Sequence, residues 1–269
     1  MENGSLNPAA IVRDLVRDRY LLGQLVKRDV LLRYRGAMFG VLWMFMSPLL
    51  MLTIFAFVFG HVFPARWPQQ ETGIPFWLLL YSGLIAFNVF AETVSRSPTS
   101  VRGYPSFVKK IIFPVSILPL VPLGAALVHA LFNFFILLAV LMWIGRLHLE
   151  VFIFPLLLLP LILLALGFAW FLAAWGVFIK DMNQIVPVFV QMLLFLSPVF
   201  YPASAVPAIL QPVYRYNPLS AIIEASRAAV VGMPIDWLTW TIALIVSAVV
   251  SILGYAFFQH SREEFADVL

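Results

Sequence analysis

The sequence predicts an all-α polytopic membrane protein. It has six transmembrane helices, an amphipathic helix at the N-terminal end, and two short re-entrant helices between the fifth and sixth spans. Three observations point there. Of 269 residues, 62% are hydrophobic and 11% charged, and the mean hydropathy is +0.97. A soluble domain carries roughly 25% charge, so most of this surface faces lipid. The apolar residues also fall in runs long enough to cross a ~30 Å hydrocarbon core at ~1.5 Å per residue. Finally, the Lys and Arg residues are concentrated in alternate connections between those runs.

Residues 10–35 form the amphipathic element. Ile11, Leu15, Leu22 and Val26 recur at helical spacing, joined by Val12 and Val16. Arg13, Asp14, Arg17, Asp18, Lys27 and Arg28 populate the other faces. Such a helix lies along a membrane surface with its basic residues near anionic headgroups. The first span, 36–62, follows directly, with no charged side chain between Gly36 and His61. A short external loop containing Pro64 and Pro68 leads to the second span, 74–95. The next loop is polar and carries Arg96, Arg102, Lys109 and Lys110.

The third span, 114–144, starts among Pro114, Pro119 and Pro122, residues that suit a helix start or a kink. The turn GRLHLE leads to the fourth span, 152–179, and the loop KDMNQ to the fifth, 185–200. The fifth is barely long enough, at about 24 Å. In 202–232, Pro202, Pro207, Pro212 and Pro218 forbid one long helix, yet the segment is too apolar for an ordinary loop. Two short helices dipping back into the membrane fit it. The sixth span is 238–258, and a polar tail, HSREEFADVL, ends the chain. The whole of 1–269 reads as one transmembrane domain, with no signal or transit peptide.

Six spans put both termini on one side. That side carries 13 of the 17 Lys and Arg residues, seven of them before Gly36. The other side has Arg66, Arg146, Arg215 and Arg227. The positive-inside rule then places both termini in the cytoplasm. The same topology accounts for the net charge of +4 better than nucleic-acid binding does.

Several chemistries are excluded or weakened. With no Cys there is no disulfide, thiolate metal site or Cys nucleophile. His61, His129, His148 and His260 lie in four different segments, with no pair at metal-ligand spacing. No catalytic residue and no metal site is predicted. His129 and Asn133 share a helix face, which suits bonding to a neighbouring helix. Ion-coupled transport needs ionisable groups near mid-membrane, and the one candidate is Glu92, toward the inner end of the second span. At i,i+4, Arg96 offers it a partner. None of the four Lys follows a Gly, so the chain has no GxxxxGK phosphate loop. If ATP drives this protein, a separate chain hydrolyses it and pushes on the cytoplasmic face. The N-terminal helix and the 96–113 loop, with its Gly-Tyr-Pro turn, Phe107 and Lys109-Lys110, offer that surface.

Four stretches carry a resemblance: VKRDVLLRYRGAMFGVLWMFMSPLL (26–50), FVKKIIFPVSILPL (107–120), FIKDMNQIVPVFVQMLLFLSPVFYP (178–202) and YNPLSAIIEASR (216–227). In this order they resemble the permease subunit of type-two ABC exporters of polysaccharides, the family that moves lipid-linked O-antigen, capsule and teichoic-acid chains. The resemblance implies a homodimer in the bacterial cytoplasmic (inner) membrane with two copies of a nucleotide-binding ATPase. This chain then holds no cofactor, and ATP and Mg are bound by the partner. It also implies an interface or gate helix with Lys27, Arg28, Arg33, Tyr34 and Arg35. A coupling helix falls within 98–110, with Arg102, Gly103, Tyr104, Phe107, Lys109 and Lys110 meeting the ATPase.

The re-entrant pair would cap the outer side. The channel would be lined by spans one and five, whose aromatics contact the sugar chain. On span one, Phe55, Phe59 and Phe63 share a face and Phe57 points elsewhere. On span five, Phe189, Leu193, Leu196 and Phe200 form a face with Tyr201 at its outer end. Lipid-facing Phe and interfacial Tyr are the ordinary alternative. A small-molecule, drug or lipid exporter of the same superfamily, and an ATP-independent channel or scaffold, are the other readings open to this sequence.

Overall fold

A computed structural model describes residues 16–62, 73–108, 113–201, 206–209 and 211–268. Among these residues all regular structure is helical, and five helices are long and apolar enough to cross a membrane. They cover Gly40–Val62, Phe76–Ser100, Val115–Trp143, Leu149–Phe178 and Trp237–Glu264.

The first described helix, α1, is Arg19–Tyr34; residues 10–15 of the expected helix lie outside the described residues. It buries Leu25 and Val30, and Val26 packs on Gly124, where a Cβ would run into it. Leu31 and Leu32 point outward, so the apolar residues divide between two faces rather than forming one stripe. Gly36, at φ +85°, turns the chain out of α1. A 3-10 turn at Gly40–Leu42 opens α2, Trp43–Phe57, which ends in a single π-helical turn, Val58–Val62.

Helix α3, Phe76–Ser100, is the centre of the bundle. It runs five residues past the expected end at 95. Its last turns have local supports that charge counting does not see. Thr93 and Ser97 donate to carbonyls four residues back, and Ser100 donates to one three back. Gly176, where a Cβ would strike the Pro98 carbonyl, lets a neighbouring helix close over them. A short helix α4, Pro105–Val108, follows.

Pro119 caps α5, Leu120–Trp143, after a 3-10 turn at Val115–Ile117. A 3-10 turn at Leu149–Ile153, then α6, Phe154–Leu157, and α7, Leu159–Phe178, form the next long span. Helix α8 is Met182–Leu196. It begins within the expected loop and stops four residues short of 200, because Ser197 is extended. Its 15 residues reach ~22 Å, too short to count as a span by length alone.

Two short helices come next: α9, Gln211–Tyr216, and α10, Pro218–Val231. Asn217 caps α10 by accepting from the Leu219 N–H, Pro218 occupies its first turn, and Gly232 at φ +73° ends it. Asp236 caps α11, Trp237–Ser261. The tail is not free. After a 3-10 turn, Arg262–Glu264, the helix α12, Phe265–Val268, brings Phe265 inward. That ring is fully buried against Phe258 at 5.3 Å.

Helix α3 packs against α7, α5, α8 and α10, while α1 lies on α5. The tightest pair is α7 with α11. They meet at Gly167 and Gly254, where a Cβ on either would collide with the other helix's backbone. Close approach through small residues is how helices associate in lipid, where burial of apolar surface gives no advantage.

Candidate functional site

Three helices bring their few polar side chains to one place. On α1, Asp29 and Arg33 are four residues apart; on α3, Asn88, Glu92 and Arg96 repeat the spacing; on α5, His129 and Asn133 do the same. The Glu92 carboxylate sits at the junction. Its Oε1 accepts from Arg33 at 2.5 Å and from Arg96 at 3.4 Å, and its Oε2 lies 3.0 Å from His129 Nδ1. Arg96 also donates to Asp29 Oδ1 at 2.7 Å. The expected Glu92–Arg96 pair is present, but Arg33 reaches the carboxylate more closely.

His129 sits between opposed groups. Nδ1 is 3.0 Å from Arg33 Nη1 as well as from Glu92, and Nε2 is 3.2 Å from the Tyr34 hydroxyl. With the proton on Nδ1 the ring donates to Glu92 and accepts from Tyr34. With the proton on Nε2 it accepts from Arg33 and donates to Tyr34. Each tautomer makes two of the three contacts: the first sets the Nδ1 proton against the Arg33 donor, the second sets the bare Nδ1 against the Glu92 carboxylate. One turn on, Tyr81 donates to Asn133 Oδ1 at 2.8 Å, and the Asn133 amide donates to the His129 carbonyl at 2.7 Å. His129 and Asn133 thus bond neighbouring helices, as their shared face implied. Two guanidinium groups and two carboxylates balance, as ionisable groups inside a helical membrane protein must.

A cavity of about 460 Å³ opens beside the junction. Trp43, Met51 and Phe55 form one wall, and Tyr81, Asn88 and Asn133 the other. A second cavity, about 490 Å³, lies on the opposite face of α1 among Lys27, Arg28, Arg35, Leu31 and Val41. Among the described residues no group of three or more His, Cys, Asp or Glu could hold a metal ion.

Residues 20–231 match the ABC-2 type transporter family. The chain belongs to that family. Over 251 residues it is 24% identical to the O-antigen export system permease protein RfbA of Klebsiella pneumoniae, covering 93% of this chain and 95% of that one. Its identity to RfbA of Myxococcus xanthus is 27% over 265 residues, covering 96% and 98%. The polysialic acid transport protein KpsM of Escherichia coli is 25% identical over 247 residues, covering 88% and 91%.

In this ABC-2 transporter chain the expected gate-helix residues separate into two groups. Arg33 and Tyr34 join the Glu92 junction, while Lys27, Arg28 and Arg35 line the basic cavity. Arg28 also lies over the Tyr104 ring at 5.8 Å, which links α1 to the α3–α4 corner. There Phe107 stacks between Tyr104, at 5.7 Å, and Phe113, at 4.6 Å. Arg102 is half-buried and Gly103 exposed. Lys109 and Lys110 lie outside the described residues.

Of the channel aromatics, Phe55 and Phe59 are neighbours at 6.1 Å, and Phe59 meets Phe76 at 5.6 Å. Phe57 points away, as expected, and is exposed. Phe63 lies outside the described residues. Phe189 is exposed on α8. Phe200 and Tyr201 do not continue its helical face, because the helix stops at Leu196. Phe200 folds back on Phe195 at 5.7 Å, and Tyr201 donates to the Phe195 carbonyl at 2.6 Å. The other exposed ring on this helix is Phe195, nearly two turns on.

Arg227 carries a structural role that its count among outer-side charges concealed. It is buried, pairs with Glu224 at 3.2 Å, and donates to the carbonyls of Pro198, Val199 and Leu79. It ties α10 to the end of α8 and to the first turns of α3. Gly83, where a Cβ would stand 3.1 Å from Arg227 Nη2, leaves room for the guanidinium. Its position within SAIIEASR, three residues after Glu224 on an otherwise apolar helix, was the available signal.

Proposed function

We propose that this chain is the channel-forming permease of an ATP-driven exporter that moves a lipid-linked polysaccharide, of O-antigen type, across the bacterial inner membrane. One observation carries the proposal. Both O-antigen export permeases and the polysialic acid transport protein match it over nearly their full lengths. The absence of a phosphate loop from the sequence supports placing ATP and Mg in a separate nucleotide-binding subunit, present in two copies.

In this reading α8 is the fifth of six spans, too short alone and completed by the turn after it. Helices α9 and α10 are the re-entrant cap on the outer side, held by Arg227. Both termini face the cytoplasm, where the Lys and Arg residues are concentrated. Two copies of the chain face each other across the channel through spans one and five. Exposed Phe189 and Phe195 on α8 support that arrangement. Aromatic faces suit the C–H surfaces of a pyranose and hold it without a fixed charge.

The Glu92 junction gives this arrangement a mechanism. Helix α1 is a gate, latched to α3 and α5 by Arg33, Tyr34 and Asp29. The ATPase pushes on the corner after Ser100, where Tyr104 lies under Arg28 and Phe107 stacks on Tyr104. Movement there is passed to α1 and to the cytoplasmic end of α3 together. The direct test is a deletion strain. Lipid-linked glycan accumulates on the cytoplasmic side, surface polymer disappears, and the intact gene restores it. Unchanged surface polymer, or ATP hydrolysis by this purified chain alone, would overturn the proposal.

A further inference from the structure

Asn88 stands at the midpoint of the 25-residue helix α3. From Phe76 to Pro98 it is the one exposed residue on that helix. Its amide makes no hydrogen bond among the described residues, and it lines the 460 Å³ cavity. An unsatisfied amide at this depth costs several kcal/mol in hydrocarbon, so it is tolerated where solute or water meets it.

We infer that the cavity around Asn88 is a subsite for one neutral sugar unit inside each protomer, distinct from a channel between protomers. The inference rests on the polysaccharide reading above. The two walls are complementary in the way a sugar ring demands. Trp43 and Phe55 offer flat apolar faces to ring C–H groups, and the Tyr81–Asn133 pair with Asn88 offers donors and acceptors to hydroxyls. Charge argues for a neutral ligand. The guanidinium that lines the cavity, of Arg33, is already engaged by Glu92, so an anion would have to displace a carboxylate. The volume lies within the ~300–1,000 Å³ typical of ligand pockets.

The test is photo-cross-linking in cells that make the glycan, with the complete transporter. p-Benzoylphenylalanine replaces Asn88 and, in a second variant that keeps the amide, Met51 on the opposite wall. Exposed Leu131 on α5 serves as the background position and Phe189 as the channel reference. Glycan-bearing adducts at 88 and 51 are expected at about tenfold the yield at 131. Background yield at both, adducts with phospholipid only, or adducts with a second copy of the chain would each overturn the inference. If Phe189 captures glycan while 88 and 51 do not, the subsite alone fails. If no position captures glycan, the polysaccharide reading fails with it.

Discussion

Span one and α3 are both apolar helices of membrane-crossing length, yet they are treated in opposite ways. In the most apolar stretch of Gly40–Val62, 11% of residues are buried; in that of Phe76–Ser100, 72% are. The less buried helix is the more apolar of the two. In water this order would be reversed. In lipid a Leu gains nothing by leaving the bilayer, while Tyr81, Asn88, Glu92, Thr93 and Arg96 must find partners or a cavity. Polar residues therefore mark the interior of this protein, and its most uniformly apolar surfaces mark where lipid or a second copy sits.

Four experiments would break or sharpen that contrast. The largest effect is expected at the tightest interior contact. Gly254→Leu drives a side chain into the Gly167 backbone and should cost about 3 kcal/mol or more, read as loss of monodisperse protein in detergent. Next is the junction. Glu92→Leu strips Arg33 of its carboxylate and should cost about 2 kcal/mol, below the ~3–5 of a fully buried pair because both arginine side chains are about a third exposed. Adding Arg33→Leu should recover part of that cost in a double-mutant cycle of melting temperatures. Tyr81→Phe removes one hydrogen bond to Asn133 and should lower stability by about 1 kcal/mol. On the open side, Phe189→Ala should change the melting temperature of the separated chain by less than about 0.5 kcal/mol equivalent, while export falls. A large stability loss there would mean that the Phe189 ring is packed within its own protomer.

Five apolar runs were legible as helices of membrane-crossing length because each holds ~20 apolar residues; the run at 185–200 is not among them. Helix ends were less so. Residues 96–100 carry a charge, a Pro and three hydroxyl residues, and read as loop. They are helical because those hydroxyls bond back to the helix and Arg96 finds Asp29 on α1. The tail read as polar because Phe265 is one ring among charges, and its pocket against Phe258 and Phe178 is built by distant residues.

The same limit applied at the site. Each i,i+4 pair, Asp29/Arg33, Glu92/Arg96 and His129/Asn133, is visible in one helix. That the three pairs meet depends on how α1 crosses α5. Arg227 was counted as a surface charge because nothing local says that three carbonyls from other segments converge on it.

The central claim is that export requires α1 to swing away from α5. The chain has no cysteine, so Val26→Cys with Gly124→Cys is a unique pair. A Cβ on Gly124 would lie 3.4 Å from the Val26 Cβ, close to the ~3.5–4.5 Å of a disulfide. Glycan export should be followed in the complete transporter before oxidation, after it, and after reduction. The account predicts that the cross-link forms readily without nucleotide, stops export, and releases it when reduced. Full-rate export with the cross-link complete would contradict it.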